Sequence, residues 1–182
     1  MQCRQTLSRD LLTDGIWSNY VEVASSAILH GQWRLARTMF AAALNEAENI
    51  SISIERQITS LHGLAYAELK SGCRADSALH LRKAFRLICL HPDGAYCDIY
   101  RLSRIACLLA DSYLEQKSAA KAMPVLKSAA EKIRRREGDE SQALAPLLKR
   151  MAMIYAGGGR HVKAEQFLRR SLTAEKALSC RN

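Results

Sequence analysis

The chain has 182 residues, a formal net charge of +9, 48% apolar residues and 25% charged ones. It is long enough to bury a core without disulfides or metal and too apolar for disorder, and no apolar run nears the roughly 18 residues of a membrane span. The opening MQCRQTLSRDLLTDG lacks the apolar core of a secretory signal, so the chain reads as cytoplasmic.

Cys3, Cys73, Cys89, Cys97, Cys107 and Cys180 form neither a CxxC pair nor the spacing of a disulfide framework, and read as reduced packing thiols. Charge is unevenly placed. Residues 1–100 hold 10 Lys and Arg against 10 Asp and Glu, and residues 101–182 hold 17 against 8. A basic partner-facing surface therefore belongs to the C-terminal half.

Residues 1–16 read as an extension with a short helix near 8–12, and residues 179–182 as a tail. Between them, apolar residues at helical spacing predict helices over 17–30, 33–49, 55–71, 74–90, 97–116, 119–136, 141–157 and 160–178, with no competing strand pattern. Turns at Gly31, Gly72, Lys117 and Gly159 join them in pairs. Pro92 lies in a loop and Pro146 near a helix start; Pro124 falls early in its helix, where fewer backbone donors have partners to lose.

Self-similarity organises these elements. Ala24, Ala65, Ala110 and Ala152 share one column, with copies spaced 41, 45 and 42 residues apart. Twelve residues later come Ala36, Ser77, Ala122 and Ala164, and seven after that Ala43, Ala84, Ala129 and Ser171. Large apolar residues keep the same register: Val23, Leu64, Leu109 and Met151 one before the first column, and Phe40, Leu81, Leu126 and Leu168 four after the second. Helices approach closely only where small residues admit a facing side chain, and a single hairpin cannot bury its apolar stripe alone. The pattern predicts an all-α solenoid of stacked helical hairpins.

These small-residue columns, with Tyr113 and Tyr155 three after the first alanine, resemble tetratricopeptide repeats. The period near 42, the loop HPDGAY, the helix KAMPVLKSAAEKI and the closing KAEQFLRRSLTAEKAL are similar to the long repeats of kinesin light chains and their bacterial relatives. The resemblance covers residues 17–178 and implies a right-handed superhelix of about four repeats, near 17–54, 55–96, 97–140 and 141–178. It also accounts for Pro124, since that subfamily commonly carries proline there. Ala27 and Glu68 depart from the tyrosine of the last marked column.

In such a solenoid the first helix of each unit lines a concave groove, which the resemblance implies binds extended peptides or partner proteins. The repeat register places His62, Tyr66, Lys70, Arg101, Arg104, Asp111, Glu115, Lys149, Arg150 and Met153 there. Arg104, Lys149 and Arg150 favour an acidic segment, because arginine can clamp a carboxylate through two hydrogen bonds, while Asp111 and Glu115 answer part of that charge. Val21 and Ser25 stand where chaperone-binding tetratricopeptide domains carry their Lys and Asn clamp, which argues against that function.

The run Arg134, Arg135 and Arg136 raises an alternative, a nucleic-acid-associated protein, but it closes a helix and is followed by Glu137, Asp139 and Glu140. Another alternative is a regulatory domain that senses a peptide or small ligand. His30, His62, His80, His91 and His161 are scattered without ligand spacing, and Cys89, His91, Asp93 and Cys97 form the only local set resembling a metal site. AGGGRH lacks the Lys-Ser/Thr of a phosphate loop. No enzyme activity, cofactor or metal is expected. The final helix raises self-association through the C-terminal repeat, since a solenoid exposes its last apolar face unless something caps it.

Overall fold

All regular structure among the described residues is helical. The computed structural model describes residues 2–49, 54–91 and 98–176, with side chains from residue 15 onward in the first stretch. The chain divides into two compact units, residues 1–91 and 92–182. The first holds α1 (Gln2–Leu29), α2 (Trp33–Asn49), α3 (Ile54–Lys70) and α4 (Arg74–Leu90). The second holds α5 (Ile99–Glu115), α6 (Ala119–Glu137), α7 (Ala145–Gly157) and α8 (His161–Lys176). Within each unit consecutive helices pack against one another, so each is two helical hairpins stacked side by side.

Helix α1 differs from the expected extension and short helix: it runs unbroken from Gln2. Gly15 is the only strong helix breaker in that stretch, and one glycine costs about 1 kcal/mol, too little to end a helix. The fourth hairpin opens on a 3₁₀ turn (Gln142–Leu144) before α7, where Pro146, without an N–H, sits at the helix start. Pro124 lies inside α6 on its exposed side, leaving the carbonyl one turn earlier to water. The expected tail and the loop of Pro92 to Cys97 lie outside the described residues.

The four turns share one geometry. Gly31, Gly72 and Gly159 have φ of 68°, 84° and 72°, and Lys117, a residue with a Cβ, has φ of 57°. At each, an amide one residue further on reaches back five residues: Gln32 to Ala27, Cys73 to Glu68, Ser118 to Tyr113 and Arg160 to Tyr155, all at 2.8 Å. This left-handed cap satisfies carbonyls that a helix end would otherwise leave bare and reverses the chain for the next helix.

All twelve small-column residues are buried. Where serine replaces alanine its hydroxyl is satisfied: Ser77 Oγ donates to the Ala65 carbonyl at 2.7 Å and Ser171 Oγ to that of Ala145 at 3.1 Å. Hairpins one and two approach closely at Gly63. A Cβ placed on Gly63 would lie 2.3 Å from Phe40 Cε1, so the Phe40 ring sits directly on the α3 backbone. Phe40 and Leu126 are buried, whereas Leu168 at the same position of α8 is 45% exposed, and Val23 on α1 is 46% exposed.

Candidate partner-binding surfaces

In the first unit, His62, Tyr66 and Lys70 recur every four residues of α3 and so share one side of it. His62 and Tyr66 are half-buried and Lys70 is exposed, with its Nζ 5.6 Å above the Tyr66 ring. The sequence reading missed Trp33, the first residue of α2, which meets Tyr66 edge-on at 6.3 Å. Beside it opens a hollow of about 640 Å³ lined by Gly31, Gln32, Trp33, Arg34, Leu35 and Ser71. The signal available was position: Trp33 directly follows the first turn, and a large ring there must lie along the neighbouring hairpin.

The two tryptophans of this unit have different surroundings. Trp17 Nε1 donates to Ser60 Oγ at 3.0 Å, and the Arg56 guanidinium lies 5.2 Å from its ring, tying α1 to α3. Trp33 makes no such bond among the described residues, and its partner ring is Tyr66.

In the second unit, Arg101, Arg104 and Asp111 lie on α5, and Lys149, Arg150 and Met153 on α7. Arg150 reaches back to α5: its Nε and Nη2 donate to Asp111 Oδ1 and Oδ2, both at 2.7 Å. That forked bond raises the Arg150 pKa further, against the cost of its partial burial. Burial pushes the neighbouring Cys107 thiol up to about 11, so it stays protonated and acts as a packing group.

Lys149, one residue earlier, turns the other way and pairs with Glu175 of α8 at 2.5 Å. The cations expected to share one groove are thus divided. Arg150 is neutralised on α5 and Lys149 on α8, while Arg104 is exposed with no ion pair among the described residues. Met153 is 67% exposed and borders a second hollow of about 610 Å³, lined also by Leu114, Lys117, Ala119, Ile154, Gly157 and Gly158. In the repeat register it corresponds to the hollow beside Trp33.

The arginine runs are largely answered by acids. Arg134 lies 2.7 Å from Asp139 and 3.0 Å from Glu131, Arg135 2.9 Å from Glu131, and Arg169 2.6 Å from Glu165. Among the described residues no group of three or more His, Cys, Asp and Glu is placed to hold a metal; Asp93 and Cys97 lie outside them. No helix among those residues is long and apolar enough to cross a membrane.

No family model and no curated sequence matches the chain. Solved structures do. BtubC (BKLC) from P. vanneervenii superposes with a TM-score of 0.77 at 16% identity, over 96% of this chain and 68% of that one. A putative kinesin light chain from Podosopora anserina with nearly identical TPR-like repeats gives 0.67 at 17% identity, over 91% and 77%. MamA gives 0.64 at 14% identity, over 95% and 86%. The buried small-residue columns, the four like turns and these superpositions agree, and the chain is by fold an all-α repeat protein of the tetratricopeptide type.

Proposed function

We propose that this protein is a non-enzymatic scaffold that binds a peptide or partner protein along the sides of its first helices, and that it favours an acidic segment. The observation that carries this reading is Arg104, an exposed guanidinium without an ion-pair partner among the described residues, on the same helix as the Asp111 carboxylate that holds Arg150. Arg104 is free to take a carboxylate in the forked geometry that Arg150 already uses on Asp111. Arg101 on α5 and Met153 on α7 add cationic and apolar surface within this unit, and within the other unit His62, Tyr66 and Lys70 form a separate aromatic and cationic patch on α3, each of a kind on which peptide backbones are held.

A nucleic-acid role has less support. Arg134, Arg135 and Arg169 are paired with acids, and the stacked Tyr155 and Phe167 are engaged with each other at 5.3 Å, not presented to bases. Exposed Leu168 and Leu172 on α8 support self-association through the last hairpin. Light scattering at high concentration measures this directly, and a strictly monomeric mass removes it.

The test of the main reading is fluorescence anisotropy with a set of labelled acidic peptides and a single-stranded oligonucleotide, each at low and near-physiological salt. Peptide binding that falls at least tenfold in Arg104→Glu, with little change in Lys149→Glu, is the expected result. Salt-resistant oligonucleotide binding that survives Arg104→Glu overturns it.

A further inference from the structure

The outward side of α4 departs from that of every other second helix. Leu79 and Leu90 are 53% and 60% exposed, three turns apart on one stripe, and Arg82 and Arg86 stand between them. The repeat register shows what this position holds elsewhere. For Leu79 the equivalents are Thr38, Pro124 and Gln166, for Leu90 they include Asn49 and Arg135, and for Arg86 they are Asn45, Glu131 and Thr173. The fold thus makes no demand for leucine or arginine here, because the packing columns lie on the opposite side of the helix, where Ser77, Leu81, Ala84 and Ile88 are buried.

Charge narrows the occupant. Arg82 and Arg86 are exposed and have no ion-pair partner among the described residues, while Lys83 beside them is already paired with Glu48. Asp76 is the one carboxylate of α4 itself, in its first turn. Leu79 to Leu90 spans about 16 Å at 1.5 Å per residue, the length of three turns of a partner helix. Two leucines separated by arginines do not form the continuous apolar sector that an interfacial membrane helix needs. They do match a helix whose ends present apolar side chains and whose middle presents carboxylates.

We propose that the outward side of α4 docks an acidic amphipathic helix of a partner protein. This surface is separate from the peptide-binding residues above and does not depend on them.

The experiment pans a phage-displayed library of helical peptides, with randomised surface positions, against the full chain. Enriched peptides are expected to place Glu or Asp within one turn of large apolar residues. Their affinity should fall at least tenfold in Leu79→Thr/Arg86→Asn/Leu90→Asn, which installs the residues found on α2, and also in Arg82→Glu/Arg86→Glu. Arg104→Glu should leave it unchanged, which separates this surface from the proposed peptide site. Circular dichroism melts identical to the parent's establish that each variant is folded. Selected helices that bind both α4 variants as well as the parent overturn the proposal. So does a screen that enriches no acidic helix, including one in which the chain instead sediments with phosphatidylserine vesicles.

Discussion

His80 Nδ1 lies 2.8 Å from Glu68 Oε2 across the second hairpin, in the slot that Tyr155 and Phe167 fill with stacked rings in the fourth. Both pairs are twelve residues apart and stand at the same positions of the repeat. Burial raises the Glu68 carboxyl pKa above its ordinary value, while the hydrogen bond and charge of His80 oppose the rise; Asp76 adds to it and Arg37 counters it. An acid whose folded pKa is raised holds its proton more tightly when folded. Its contribution to stability is therefore full below about pH 4.3 and is lost as pH rises through the folded value. Urea unfolding of the parent and Glu68→Gln between pH 4 and 7 should show the parent losing ground to the variant as pH increases.

The same slot permits a swap. Glu68→Tyr/His80→Phe, which copies the fourth hairpin, is expected to be at least as stable as the parent, because replacing a buried polar pair with packed rings is often neutral or stabilising. Glu68→Tyr alone should be less stable by about 1–3 kcal/mol, since it leaves His80 without its carboxylate. Thermal melts of the three proteins decide the matter.

Gly63 has no room for a side chain, with Phe40 Cε1 2.3 Å from where its Cβ would stand. Gly63→Ala should cost about 1–3 kcal/mol despite improving helix propensity, and Gly63→Ala/Phe40→Leu should recover part of the loss. Guanidinium unfolding of the single and double variants measures the coupling.

Lys117 adopts at the third turn the left-handed conformation that glycine adopts at the other three. Lys117→Gly should therefore stabilise the protein by about 1 kcal/mol through relief of the Cβ clash. A fall in unfolding midpoint would mean that the lysine stem contributes more packing than its exposure suggests.

Asp111 holds Arg150 through two bonds of 2.7 Å, in a position partly open to water. Asp111→Ala is expected to cost about 1–2 kcal/mol, and Arg150→Lys a similar amount, because an ammonium cannot reproduce the fork. Chemical denaturation of the two variants, compared with their double mutant, isolates the pair.

Much of the fold was legible in the residues themselves. The twelve alanines and serines of the three columns needed no coordinates to be recognised as contact points, and all twelve are buried. The four turn residues were equally plain, since glycine at three of them announces a backbone that Lys117 then follows. Such features repeat, and repetition separates a packing requirement from the free variation around it. The start of α1 was not legible: residues 1–16 read as an extension with a short helix near 8–12, and the chain is helical from Gln2 onward.

The candidate site was legible only in part. Repeat register identified which side of each first helix His62, Tyr66, Arg104 and Met153 occupy, because a 3.6-residue period fixes direction once a column is known. Register carries no information about which charge meets which. Lys149 and Arg150 are adjacent in sequence and both cationic, yet one is taken by Glu175 and the other by Asp111, and Arg104 has no ion pair among the described residues. The departure at Glu68 was visible as a missing tyrosine, while its pairing with His80 was not. What the sequence determined alone is the helical hairpin, its turns and its buried small-residue columns, all of which follow from local period and side-chain size. Only the tertiary structure decided which polar groups are spent on one another and which remain for a partner, because ion pairing depends on distances between helices that no single helix encodes.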